Sequence, residues 1–145
     1  MHPNTVVENT PTKLKQPITV SGTVLHGQKL GRTIGFPTAN LDISATTAAT
    51  LEPGVYFGHC TIENTDTQFN CLPYFGPRYI LDEVHDVFEV FIYDFNEEIY
   101  ENTLHVRLTH FIRGPLQIHS LKHLKEQLTQ DKKVGTTLRR NQTTI

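Results

Sequence analysis

Val84-His-Asp-Val-Phe-Glu-Val-Phe-Ile-Tyr-Asp-Phe95 carries apolar side chains on both faces of an extended chain. Phe88, Val90 and Ile92 share one face, and Val87, Phe91, Tyr93 and Phe95 share the other. A strand with two apolar faces needs cover on both sides, so its expected place is central in a sheet. Glu89 interrupts the second face between Val87 and Phe91, where a carboxylate without a partner is expensive to bury. Two readings stand for it. It is an ordinary strand residue near a barrel rim, or one paired with an arginine such as Arg78 or Arg113; or it is a general base in a partly dry site.

Working outward, Ile18 to Leu25 alternates Ile18, Val20, Gly22 and Val24 with polar positions, as a half-buried strand does. Residues 1–16 are rich in Asn, Thr, Pro and Lys and read as a flexible leader. A turn at Pro53-Gly54 opens a strand over Val55–Ile62, and Gln68–Phe75 forms another. Pro73 interrupts that strand and places it at an edge or a bulge. Leu104, Val106 and Leu108 alternate with Thr103, His105 and Arg107 in a further strand. Ser120 is then an N-cap for a helix with Leu121, Leu124 and Leu128 at helical spacing. Lys132 and Lys133 suit its C-terminal end, Gly135 is its expected stop, and residues 135–145 form a polar tail. Short strands followed by one helix indicate a mainly β fold over residues 17–134, a small closed antiparallel β-barrel with a C-terminal α-helix.

The 145 residues fit one domain with its own core. A net charge of -2 argues against a nucleic-acid surface, which needs a basic face. Two cysteines without CxxC spacing, and eight histidines without an HxH or HExxH pair, argue against a zinc site. No apolar run approaches a membrane span and the N-terminus lacks an apolar signal core, so the expected location is the cytoplasm.

The chemically dense stretch is His26–Leu41, HGQKLGRTIGFPTANL. Its glycines let backbone approach a ligand, Lys29 and Arg32 suit an anion, and Pro37 argues for a loop. Thr38 and Asn40 sit two apart, so an extended chain projects both to one side. A hydroxyl and an amide oxygen are acceptable ligands for a hard cation that keeps its waters and phosphate oxygens, and equally serve to close hydrogen bonds in a loop. The consensus GxxxxGK[ST] is absent, so this is not a P-loop.

Gly22-Thr-Val-Leu-His-Gly27, Gly31-Arg-Thr-Ile-Gly-Phe-Pro-Thr-Ala-Asn40, Gly54-Val-Tyr56, Glu89 before Asp94-Phe95, and Ile112-Arg113 through Asp131 together resemble the riboflavin kinase family. The likeness runs from Ile18 to about Lys133 and is to the kinase domain of bacterial bifunctional riboflavin kinase/FAD synthetases. It implies a Greek-key barrel, and transfer of the ATP γ-phosphoryl group to the 5′-hydroxyl of riboflavin to give FMN and ADP; the chain is expected to be a monomer. By position, Thr38 and Asn40 would contact Mg²⁺ and the nucleotide phosphates, and Gly27 and Arg32 would belong to the ATP loop. Ile92 and Asp94 would border the nucleotide, Glu89 would accept the hydroxyl proton, and Arg113 would lie in a flap over the flavin.

The departures cluster. Where the family usually carries Asn-Ile-Gly-x-x-Pro-Thr-Phe, residues Tyr74 to Leu81 keep only Gly76. The family's Tyr-Gly pair is Tyr100-Glu101 here, and Ile118 occupies an aromatic flap position without being able to stack on a flavin ring. The alternative is therefore a degenerate, non-catalytic flavin- or nucleotide-binding barrel with a regulatory role. An adenylyltransferase segment with an HxGH-like motif, to which bacterial members are often fused, has no counterpart in these residues.

Overall fold

A computed structural model describes residues 6–26, 30–81 and 85–142. The strands are β1 (Thr12–Leu25), β2 (Ala39–Asp42), β3 (Gly54–Ile62), β4 (Gln68–Pro77), β5 (Asp86–Ile92) and β6 (Thr103–Arg113). The helices are α1 (Leu30–Thr33), α2 (Ala45–Ala49) and the long α3 (Leu121–Asn141). The strands close into a barrel in the order β1–β2–β5–β4–β3–β6, every neighbouring pair antiparallel. Three consecutive strands, β3 to β5, are followed by β6 lying back beside β3, which is the Greek-key connection. The mainly β fold, closed barrel and C-terminal helix agree with the sequence expectation.

The two apolar faces of β5 go to two different cores. Phe88, Val90 and Ile92 fill the barrel with Val20, Val24, Leu41, Tyr56 and Leu108. Phe91, with Tyr93 just past the strand end, lies outside it in a second cluster with Val55, Phe57 and Leu72. Val134 and Leu138 of α3 cover that cluster, so the helix supplies the second side a central strand needs. Each fully buried side chain of these clusters, such as Phe57 or Phe88, is worth about 1.5–3 kcal/mol relative to exposure. Tyr93 also donates its hydroxyl to Lys132 O at 2.8 Å, and Arg139 reaches Asp94 at 2.8 Å while its guanidinium lies 5.1 Å from the Tyr93 ring.

Four local expectations change. The leader is not frayed from residue 12 onward, because Thr12 and Lys13 pair with Phe111 and His110 before a register shift leads to Ile18. The stretch through Leu41 is not all loop, since Ala39–Asp42 is a strand between β1 and β5; Pro37 precedes it, so no ladder donor is lost. Pro73 lies in β4, which is paired on both sides, and not at an edge. Its missing N–H coincides with a gap in the β3–β4 pairing between Tyr74 and Cys71.

Gly135 does not stop the helix, which runs on to Asn141. The glycine is there for close approach: a Cβ would sit 2.2 Å from the Tyr93 hydroxyl and 2.9 Å from a Leu72 methyl carbon. Ser120 is the expected N-cap and accepts from His123 N at 3.1 Å. The buried stripe of α3, however, is not its leucines but His123, Gln127, Asp131 and Gly135, at successive four-residue steps.

Candidate active site

Strand register assembles the site. Asn40 lies opposite Glu89, Glu89 opposite Tyr74, Tyr74 opposite Val55, and Val55 opposite Arg113. These residues form one row across β2, β5, β4, β3 and β6. Their chain neighbours Leu41 and Phe88 point into the barrel, so the row is on its outer wall. Residues nearly fifty apart in sequence, Asn40 and Glu89, are thereby direct cross-strand neighbours.

Two cavities flank this row. The larger, about 150 Å³, lies between the outer wall, the 3-10 turn Tyr79–Leu81, α3 and the segment after β6. Glu89, Tyr74, Phe91, Arg113 and Ile118 line it, and its walls are mostly apolar. The smaller, about 50 Å³, opens between α1 and the turn after β5, with Arg32, Ile92, Glu97, Glu98 and Tyr100 around it. Thr38 lines both. His26 stacks on Tyr100 with ring centroids 4.2 Å apart beside the smaller cavity.

The α1 loop is shaped by backbone. Phe36 N donates to Gly31 O at 2.7 Å, and Gly35 has φ 84°, a left-handed conformation that costs glycine nothing. This turn delivers Pro37 and Thr38 to the start of β2. Neither Thr38 nor Asn40 has a side-chain hydrogen bond within the described residues. Among the described residues Arg32 makes only an open pair with Glu98 at 3.7 Å, both side chains at least half exposed, which contributes little and yields readily to a stronger anion.

The larger cavity is the reverse, because its charged groups hold one another. Arg78 donates from both Nε and Nη2 to Glu89 Oε1 at 2.5 Å, so the paired state of Glu89 foreseen as its ordinary alternative is present. Glu89 is partly buried, with its side chain 21% exposed. Arg113 is buried and grips Asp131 through two bonds of 2.9 and 2.7 Å. The Tyr74 hydroxyl donates to Pro77 O at 2.6 Å; burial pushes its pKa up, the Glu89 carboxylate adds to this, and Arg113 pulls the other way.

Arg32, Thr38 and Ile92 thus meet at the smaller cavity, Glu89, Arg113 and Ile118 at the larger, and Asn40 stands beside Glu89. Asp94 lines neither of these cavities and is held by Arg139 on the far end of α3. Gly27 falls outside the described residues. The segment Tyr74 to Leu81, marked in the sequence by its departures from the family pattern, does line the larger cavity, with Tyr74 facing Glu89 across the β4–β5 pair. Sequence reasoning missed Phe91 and Asp131 as wall residues.

The donor set of Thr38 and Asn40 fits a hard cation shared with phosphate oxygens, because both oxygens are neutral and unengaged. No cluster of three or more His, Cys, Asp or Glu suited to a metal occurs among the described residues, so a cage made of protein ligands alone is not offered there. No helix among the described residues is long and apolar enough to cross a membrane.

The Flavokinase family model, described as riboflavin kinase, matches residues 14–138. The bifunctional riboflavin kinase/FMN adenylyltransferase of Haemophilus influenzae is 34% identical over 120 residues, 81% of this chain and 37% of the relative. The Bacillus subtilis protein of the same description is 32% identical over 136 residues, 87% of this chain and 40% of the relative. This chain therefore spans about two fifths of the length of those relatives. Among solved structures, a Streptococcus pneumoniae protein titled macrolide-efflux protein aligns with TM-score 0.67 and 32% identity, over 83% of this chain and 38% of that one. Riboflavin kinase from Trypanosoma brucei aligns with TM-score 0.63 over 86% of this chain and 78% of that one, and at 20% identity it speaks for the fold alone. The family match runs from within β1 through the rest of the barrel and most of α3, and the chain belongs to the riboflavin kinase family.

Proposed function

We propose that this chain transfers the γ-phosphoryl group of ATP to the 5′-hydroxyl of riboflavin, giving FMN and ADP. The observation that carries the reading is Thr38, a residue that lines both cavities. The smaller cavity, with Arg32 and exposed polar groups, takes the nucleotide; the larger apolar one, with Glu89, takes the flavin.

Glu89 receives the proton of the ribityl hydroxyl as its oxygen bonds to the γ-phosphorus. The bond from that phosphorus to the β–γ bridging oxygen breaks, and ADP leaves. Such a step depends chiefly on positioning and charge neutralisation, and a carboxylate on a strand paired on both sides is well fixed for it. Thr38 and Asn40 would hold a Mg²⁺ whose charge neutralises the phosphate oxygens. The acceptor hydroxyl has to compete with Arg78 for the Glu89 carboxylate.

That competition favours a second reading, a barrel that binds flavin or nucleotide without turnover. The two separate on one experiment. Protein incubated with riboflavin and MgATP should yield FMN on chromatography. Absence of FMN from folded protein with Mg²⁺, Mn²⁺ or Zn²⁺, alongside calorimetric binding of riboflavin or ADP, would establish the non-catalytic barrel instead.

A further inference from the structure

Gln127 is fully buried on the inner stripe of α3, and its amide is fully engaged. Its Oε1 accepts from Val7 N at 2.7 Å, while its Nε2 donates to Val7 O at 2.9 Å and to Asp131 Oδ1 at 3.1 Å. Asp131 in turn holds Arg113 Nε and Nη2. Arg113 Nη1 donates to Gly114 O at 3.1 Å, at the start of the segment that carries Leu116 and Ile118 to the larger cavity. One unbroken chain of hydrogen bonds thus runs from Val7 through Gln127, Asp131 and Arg113 to that wall.

We propose that the segment through Val7 is a strap belonging to the acceptor site: docked on Gln127, it sets the position of the Gly114–Ile118 wall and so the affinity for the flavin. Gln127 does not line the cavity and acts as a positioning residue. A leucine of similar volume would fill the same space with no polar group to satisfy. An amide with each group bonded instead selects one orientation for Asp131, and with it one orientation of the Arg113 fork. The charges of Arg113 and Asp131 offset each other, so what the network conveys is geometry. The flavin in this statement rests on the phosphotransferase reading above.

Val7→Pro removes the N–H given to Gln127 while leaving α3 and the barrel untouched. Losing one net hydrogen bond should raise KM for riboflavin about fivefold, with KM for ATP and kcat changed by less than about twofold. In the substrate-free protein, the Ile118 amide, which donates to Leu116 O, should exchange faster. Gln127→Leu should give the same selective pattern with a larger rise. Unchanged Ile118 exchange in Val7→Pro, or a matching rise in KM for ATP, would overturn the strap. The exchange measurement needs no substrate, so a wild-type protein that makes no FMN removes the phosphotransferase reading while exchange alone still decides the strap.

Discussion

The two cavities that meet at Thr38 treat their polar groups in opposite ways. Thr38, which borders both cavities, and Asn40, which stands beside Glu89, carry no side-chain hydrogen bond within the described residues, and on the smaller side Arg32 makes a loose, exposed ion pair. On the larger side Glu89 is held by Arg78, Arg113 by Asp131, and Tyr74 by Pro77 O. Open polar groups suit a charged ligand that arrives with its own metal and phosphates. Self-satisfied ones suit a largely apolar ligand, for which only one of the pairs, Arg78–Glu89, has to give way. The nucleotide side is thus prepared by leaving groups unengaged, and the acceptor side by fixing its walls.

The sharpest way to break this comparison is at Glu89. Glu89→Gln should lower kcat by about 10²–10⁴-fold while KM for ATP stays within about twofold, since the change lies across Thr38 from the nucleotide. An unchanged kcat in an FMN-forming assay removes Glu89 from the chemistry. Asp131→Ala attacks the walls instead. It leaves Arg113 buried without its counter-charge and should cost about 3–5 kcal/mol in denaturant unfolding, because the penalty falls on an uncompensated buried ion. A loss near zero would mean that the acceptor wall does not depend on the pair.

Smaller effects sharpen the picture. Gly135→Ala pushes a Cβ against the Tyr93 hydroxyl and should cost about 1–3 kcal/mol by overpacking, visible as a lower Tm. The smallest change is at His110, which lines neither of the two cavities. Burial, then Lys13 and His59, lower its pKa. A lowered folded-state value means folding prefers the neutral ring. That stabilisation is complete above the unfolded pKa near 6.5 and is lost as pH falls through the lower folded value. Denaturant midpoints across that range should therefore decline toward acid less steeply in His110→Gln, with both KM values unaltered.

The same contrast explains what could be read from the sequence. The nucleotide side is contiguous: glycines, Arg32, Thr38 and Asn40 fall within one loop and strand, so residue types and spacing were enough to suggest phosphate. β5 was legible because both of its faces are apolar, and Glu89 because it breaks one of them. The acceptor side is assembled from β4, β5, β6, α3 and the turn at Tyr79–Leu81, which only register and packing bring together. The periodicity of α3 also misled. Its leucines at 121, 124 and 128 look like a core stripe, yet Leu121 is 41% exposed and the other two face the cavity. The buried positions are His123, Gln127, Asp131 and Gly135, and spacing alone assigns the polar Gln127 and Asp131 to solvent. Likewise Thr12–Gln16 lacks apolar alternation, and joins β1 because β6 is long enough to pair with it.

A crystal structure of the protein with ADP, Mg²⁺ and riboflavin tests most directly whether transfer crosses Thr38. The expected result has ADP in the cavity bordered by Arg32, Ile92 and Tyr100, with its terminal phosphate and the metal at Thr38 and Asn40. Riboflavin should fill the cavity beneath Ile118, its terminal hydroxyl at Glu89 and Arg78 moved from Oε1. Riboflavin and ADP bound on the same side of Thr38, or a flavin whose hydroxyl points away from Glu89, would contradict the two-cavity arrangement.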